Sequence, residues 1–479
     1  MAGKGKVAKL SEISRLTNSH VLKNPKRKRI IALFLCLIMG AAAVTGCSSS
    51  TDKKNEETKA ENSPAGTADD LSGKIVIGGW PAGDDAFKAI IPAFNEIYPD
   101  IEIELAFQQG SDYNQMLTTA LAAGSGAPDI AMMEQAWVGR YKESTGFENL
   151  LEAPYNIGDM KDDFVGMKWN LALSADGERL VGVVWDIGPA SMFYRRDVFE
   201  DAGLPSDPEE VEKLMSTWDG VMEAAEAIYI PGERWLFPNA YSLYTWNFMN
   251  REFYNDKLEF SLEKDGAREG LETAIKMRAN GWDAQYDLSA SEYQSALNEG
   301  KLGAHVSGCW FGGFLKTFIA ADTSGLWGIT KLPGNIDDSN WGGSYVGIPT
   351  QSQNKDAAWA FILYAMATNE GQNGMFQAVD YFPGYIPAWD DPIYEAEDPF
   401  FGGQKVRLKW VDISKNLQPT FSTPMDSTVE GIINDATNTG LNEGKSADEI
   451  IADAYAKVEN GVKQDYEAYR ELLQEAGVL

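Results

Sequence analysis

By residue type, His305 and Cys309 are the pair best suited to nucleophilic chemistry, an imidazole and a thiol four residues apart in the stretch HVSGCWFGG. His305 is the only histidine after position 20, and Cys309 the only cysteine after position 47. A cysteine nucleophile needs a base about 3 Å away and donors for the oxyanion. Side chains four apart meet on a helix. This stretch makes a poor helix, because it carries Gly308, Gly312 and Gly313, and LGAHV alternates as a strand does. On a strand the two residues share a face but stand about 13 Å apart. The pair therefore reads as structural, His305 as a hydrogen-bonded residue and Cys309 as a small buried filler. One imidazole and one thiol cannot make a zinc site of the usual Cys/His kind. No motif points to another metal or to a cofactor, and none is expected. Carboxylate chemistry stays open, since a glycosidase needs only two acids at a suitable separation. With 71 Asp and Glu in the chain, such pairs arise by chance, and no motif marks one.

The frame that holds these residues is legible from periodicity. A chain of 479 residues exceeds one ordinary core and predicts two domains or a large α/β domain. GKIVIGGW, residues 73–80, is a β-branched run that reads as a strand. Asp84 and Asp85 are placed to cap a helix with Phe87, Ile90, Ile91, Phe94 and Ile97 at helical spacing. IEIELAF reads as a second strand, DYNQMLTTALAAG as a helix and PDIAMM as a buried strand. Strand, helix, strand, helix, strand with tight connections argues a parallel, doubly wound sheet, which takes ligands at the carboxyl ends of its strands. Trp80 to Asp84, and Glu134 to Trp137, fall at two such ends. Farther on, Thr217 opens an amphipathic helix, and residues 356–371 form an apolar, buried one that holds Trp359 in the core. Ser446 and Glu449 have capping-box spacing.

Composition narrows the class. The apolar fraction of 44% and aromatic fraction of 11% belong to a folded chain. The net charge is −30, and the first 46 residues carry nine Lys or Arg against one Glu, so the remainder is still more acidic. Such a chain is repelled by phosphate backbones, which argues against nucleic acid as a partner. The N-terminus points to export. A basic block, Lys23 to Arg29, precedes IIALFLCLIMGAAAVTGC, a run too short to span a bilayer and ending in small residues. Its last four residues, Val44 to Cys47, resemble a bacterial lipobox, which would leave a lipidated Cys47 as the new N-terminus. Residues 48–70 carry no large apolar side chain and read as a flexible tether.

In order along the chain stand PDIAMMEQAWVGRY, YRRDVFEDAGLP, STWDGVMEAAEAI, EYQSALNEGKLGAHVSGCWF, GLWGITKLPG and GGSYVGIPTQSQNKDAAWAFILYAM. Together they resemble extracellular solute-binding protein family 1, the carbohydrate-capturing lipoproteins of ATP-binding-cassette importers. The resemblance implies a two-lobed, periplasmic-binding-protein-like α/β fold of type II, each lobe a doubly wound sheet with helices on both faces and the ligand cleft between them. The implied organisation is a signal peptide at 1–46 and a lipidated tether at 47–72. One lobe would take 73–185 plus 345–390, the other 190–343 plus 393–479, with crossings near 185–189, 344–347 and 389–392. The implied function is capture of a mono- or oligosaccharide and its delivery to permease subunits. That describes a binding protein rather than an enzyme, a monomer anchored by Cys47 to the outer face of a Gram-positive cell membrane. The alternatives are a glycoside hydrolase or lyase, and a binder that presents sugar to a sensor kinase.

A sugar ring offers an apolar C–H face and a rim of hydroxyls, so an indole covers the one while carboxylates and amides take the other. That gives Trp310 a task, since aromatic side chains are common at this motif in the family. Among the 14 tryptophans, Trp80, Trp341 and Trp246 are further candidates. Tyr381, Asp186, Gln135, Asp84 and Asp112 complete the expected site, although helix capping accounts equally well for Asp84 and Asp112. The anchor carries its own prediction. Cys47→Ala should leave the protein exported but unlipidated, so metabolic labelling with a fatty acid should mark the wild type only; equal labelling of both would refute the lipobox.

Overall fold

The computed structural model describes residues 71–479 apart from Arg251 and Ser289. The signal peptide, the lipobox and the tether up to residue 70 lie outside the described residues.

Strand β1 (Gly73–Gly79) pairs in parallel with β2 (Ile101–Phe107) and with β3 (Ile130–Glu134). The helices between them, Ala82–Ile97 and Gly110–Ala123, are those expected from the spacing. Phe87, Ile90 and Phe94 face the core, where Phe94 meets Phe361 edge-on at 5.0 Å. Neither Asp84 nor Asp85 caps the first helix. Its N-cap is Pro81, and both acids sit in the first turn, where negative charge meets the exposed backbone N–H groups. Asp112 likewise lies in the first turn of its helix, whose N-cap is Gln109.

The sheet is completed from distant sequence. β9 (Ser344–Gly347) inserts antiparallel against β3, and β4 (Val183–Val184) pairs antiparallel with β9, giving the order β2-β1-β3-β9-β4. A second sheet, β7-β6-β8, is antiparallel throughout: β6 (Ala190–Arg195) lies between β7 (Ala304–Gly308) and β8 (Trp327–Thr330). In strand direction this sheet departs from the doubly wound pattern of the first. Every residue of β6 is buried, and Phe193 packs with one hydrophobic cluster while Met192 and Tyr194 pack with the other. Both faces of the sheet are therefore covered. Along the C-terminal part of the chain, buried residues up to Leu417 pack with the first cluster, and those from Met425 onward with the second.

Local signals hold where side chain and backbone act alone. Thr217 accepts from Gly220 N at 3.1 Å, and Ser446 with Glu449 forms a complete capping box. The apolar segment from 355 is not one helix. It runs Lys355–Met366, breaks, and restarts at Asn369–Val379, where the Thr368 hydroxyl caps Gly371 N at 3.0 Å. Trp359, expected in the core, is half-buried and meets Tyr155 edge-on at 5.2 Å.

Candidate functional site

β1, β3, β5 (Asp186–Ile187), β7 and β9 all end at, or border, one cleft of about 660 Å³. Its aromatic wall consists of Trp80, Trp137, Trp310, Phe314, Phe318, Trp341 and Tyr381, and its polar edge of Gln109, Glu134, Gln135, Asp186 and Ser344. Among the described residues, no Lys or Arg lines it.

Trp80 follows Gly79 directly, so the end of β1 delivers its indole to the cleft. There it meets Trp137 edge-on at 5.6 Å and lies close to the Tyr381 phenol, whose proton burial holds more tightly than usual. Trp137 belongs to helix Gln135–Tyr141, which starts where β3 stops. Trp310 sits at the end of β7, its Nε1 donating to the Trp341 carbonyl at 3.0 Å, while Trp341 N donates to the Gly188 carbonyl at 2.7 Å. The approach is so close that side chains are excluded around it. A Cβ on Gly308 would lie 2.4 Å from Trp310 Nε1, and one on Gly188 would lie 2.0 Å from the Trp341 oxygen. Gly308 thus lets the indole fold back over the strand end.

Behind the aromatic wall lies a buried polar junction. Lys168 has no solvent exposure; its Nζ donates to Gln135 Oε1 at 2.9 Å and to the Gly342 carbonyl at 3.0 Å, and lies 4.4 Å from the Tyr345 ring centroid. Asn340 Nδ2 donates to the same two acceptors at 2.8 and 2.9 Å, and its Oδ1 accepts from Gly188 N at 2.7 Å. Gln135 N donates to the Gly343 carbonyl at 2.9 Å. Asp186 is 2% exposed, and burial pushes its carboxyl up to about 6 against the opposing pull of Lys168 and of hydrogen bonds from Ser344. Its Oδ1 is buried with no hydrogen-bond partner among the described residues, although Asp186 lines the cleft. A buried acceptor in that position is costly unless a donor arrives.

Of the residues expected from sequence, Trp310, Trp80, Trp341, Tyr381, Gln135 and Asp186 are brought together in this cleft. Asp84 and Asp112 do not line it. Asp84 pairs with Lys88 on its own helix, and Asp112 is exposed. Trp246 is buried and lines a separate recess of about 90 Å³ with Tyr241, Glu430 and Asn434, on which Trp341 also borders. Sequence reasoning passed over Phe314 and Phe318, whose signal was present in their spacing of four and eight residues after Trp310. It also passed over Lys168 and Asn340, which carry no local signal.

The His305–Cys309 pair takes no part in the cleft lining. His305 lies on β7 opposite Phe193, between the rings of Tyr293 at 5.4 Å and Phe311 at 4.5 Å, aromatic packing where a hydrogen bond was expected. Cys309 is fully buried with its Sγ 3.5 Å from the Ile187 carbonyl, and burial raises its thiol well above the usual range, the reverse of an activated nucleophile.

The fold and cleft define a two-lobed binding protein of the solute-capturing kind. The chain belongs to the bacterial extracellular solute-binding protein family, whose sequence profile matches residues 79–373. It is similar to the arabinooligosaccharide-binding protein of Halalkalibacterium halodurans, 24% identical over 353 residues and covering 70% of this chain and 76% of that one. It is also similar to the lactose-binding protein of Rhizobium radiobacter, 24% identical over 80% of this chain and 91% of the relative. Among solved structures, an extracellular solute-binding protein family 1 crystal structure superposes with a TM-score of 0.70 at 23% identity, over 81% of this chain and 99% of that one. The sugar-binding protein MalE of Xanthomonas citri superposes with a TM-score of 0.67 at 18% identity, over 83% and 99%.

Burial holds the His305 imidazole down to about 3, against an ordinary value of 6.5. The unfolded chain therefore takes up a proton near pH 6.5 that the folded chain refuses until about pH 3, and stability is lost as pH falls through that window. Denaturant titrations at stepped pH should show His305→Phe losing less stability than wild type on acidification. Parallel curves for the two proteins would contradict the buried neutral imidazole.

Proposed function

We propose that this protein captures a carbohydrate in the cleft at Trp310 and delivers it to the permease of an ATP-binding-cassette importer. The observation that carries the reading is one cleft joining indole faces to an unpartnered buried carboxylate oxygen, Asp186 Oδ1. Trp310, Trp341 and Trp80 supply faces for the C–H surface of a sugar, while Asp186, Glu134, Gln135 and Ser344 stand at its edge for hydroxyls. The names of relatives point the same way: arabinooligosaccharide-, lactose- and maltotriose-binding proteins. In this reading Cys47 carries the lipid anchor, the protein works as a monomer on the outer face of the membrane, and the lobes rotate to close over the sugar.

A second reading, hydrolysis by Glu134 and Asp186, is favoured by two acids sharing one cleft, with Glu134 among the charges that raise the Asp186 carboxyl. Incubation with oligosaccharides separates the two readings. Capture leaves the sugars intact, whereas new reducing ends would mean catalysis.

Binding sugar should shift tryptophan fluorescence and lower the radius of gyration together. Trp310→Ala should lose a stacking face worth about 1–3 kcal/mol, a fall in affinity of about 5- to 150-fold by calorimetry. Trp310→Phe, which keeps an aromatic face, should recover part of that loss. Unchanged affinity in Trp310→Ala would overturn the assignment.

A further inference from the structure

Two side chains of opposite charge are buried together beside the cleft, Asp186 and Lys168. Gly343 touches both residues: a Cβ on it would lie 2.4 Å from the Asp186 carbonyl oxygen and 2.9 Å from Lys168 Nζ. The ammonium is held in place by Gln135 Oε1 and the Gly342 carbonyl. Asp186 lies on β5, which pairs antiparallel with β10 (Phe382–Pro383), and it lines the cleft with Oδ1 unpartnered among the described residues. A fixed cation thus stands behind a carboxyl group whose open oxygen is available to a ligand.

The other titratable groups around Asp186 come from four places. Glu134 ends β3, Tyr345 lies on β9, Tyr381 precedes β10, and Cys309 follows β7. Burial raises the two phenols and the thiol, so all three stay neutral in acid. Lys168 and Glu134 act on Asp186 with opposite sign, the first favouring the carboxylate and the second opposing it. Burial outweighs Lys168 and leaves the Asp186 carboxyl at about 6. The ionised form accepts at both oxygens, roughly twice as strongly as a neutral group, whereas the protonated form commits one oxygen to donating.

Resting on the sugar-capture reading, we propose that Lys168 is a positioning residue for capture. Its buried ammonium keeps Asp186 ionised as the acceptor of a sugar hydroxyl, so that capture is linked to protons and acid releases the sugar. Affinity is full where the carboxyl is ionised and is lost as pH falls through its value of about 6. Near that pH, binding sends a proton from Asp186 to solvent. A lysine that only braced the cleft wall would change affinity equally at every pH.

The test is calorimetry with arabinotriose, lactose and maltotriose between about pH 7.5 and about pH 5, on wild type, Lys168→Met and Asp186→Asn. Runs near pH 6 in buffers of different ionisation enthalpy count the protons released. Wild-type affinity should be level above about pH 7 and fall about ten-fold by about pH 5, with proton release near the midpoint. Lys168→Met should move that fall upward by about one pH unit or more. Asp186→Asn should bind more weakly, with neither the fall nor the proton release. Asn340 Nδ2 still serves Gln135 Oε1 and the Gly342 carbonyl, so Lys168→Met strands no acceptor, and a melting curve checks its fold. Lys168→Gln, which keeps a donor there, replaces it should it not fold. The proposal is overturned if the fall stays at the wild-type pH in the Lys168 variant, if Asp186→Asn keeps it, or if wild-type affinity is level down to about pH 5. Sugar capture itself would survive each of those results. If none of the three sugars binds at any pH, the capture reading fails for them. Carbon NMR of Cγ-labelled aspartate in the free protein then decides whether removing Lys168 moves the Asp186 titration, and an unmoved titration overturns the role of the lysine.

Discussion

Lys168 places a full positive charge where water cannot reach it, and an ammonium so buried costs several kcal/mol unless acceptors surround it. The acceptors come from sequence far on either side: Gln135 from the end of β3, and the Gly342 carbonyl from the segment leading into β9. Asn340 shares both acceptors and holds Gly188 N, so the chain on the far side of β5 is fixed to the same point. The ends of β3 and β5 and the start of β9 are thus located relative to one another by hydrogen bonds that none can abandon without stranding a charge or a buried amide. The aromatic wall is built on this junction. Trp341, one residue after Asn340, bonds Gly188 through its N–H and receives the Trp310 indole through its carbonyl.

A rigid base of that kind explains how the cleft can keep an unsatisfied acceptor. Asp186 is buried and lines the open cleft beside Ser344, with Lys168 close enough to oppose the effect of burial on its carboxyl. In an apolar interior an unpartnered carboxylate oxygen would draw the structure in around it or take up a proton. Here the neighbouring groups are already committed to one another, and the free acceptor is left facing the space a ligand would fill. Close packing serves the same end. Gly188 and Gly308 have no side chain because the Trp341 carbonyl and the Trp310 indole occupy the volume one would need.

The sequence by itself determined whatever depends on neighbours within a few residues. The β-branched run at 73–79, the helical spacing of Phe87, Ile90 and Phe94, the Thr217 cap and the Ser446–Glu449 box all follow from short-range sterics and hydrogen bonds. The strand alternation around His305 likewise separated it from Cys309, because a strand carries residues four apart well beyond bonding distance. Trp80 was legible as the aromatic residue that follows the strand end Gly78–Gly79, a local property, whereas Trp310 was marked by the family resemblance of its stretch. Only the tertiary structure decided the rest. It inserted β9 antiparallel between β3 and β4 from about two hundred residues away, and it made the second sheet antiparallel. It left Asp84 on its own helix with Lys88, and it buried Lys168, together with Lys142 and Arg195, out of the chain's 41 basic residues. The physical reason is that a charge or carboxylate gains its meaning from the partners that surround it in space, and those partners are set by long-range packing, which leaves no pattern in the local sequence.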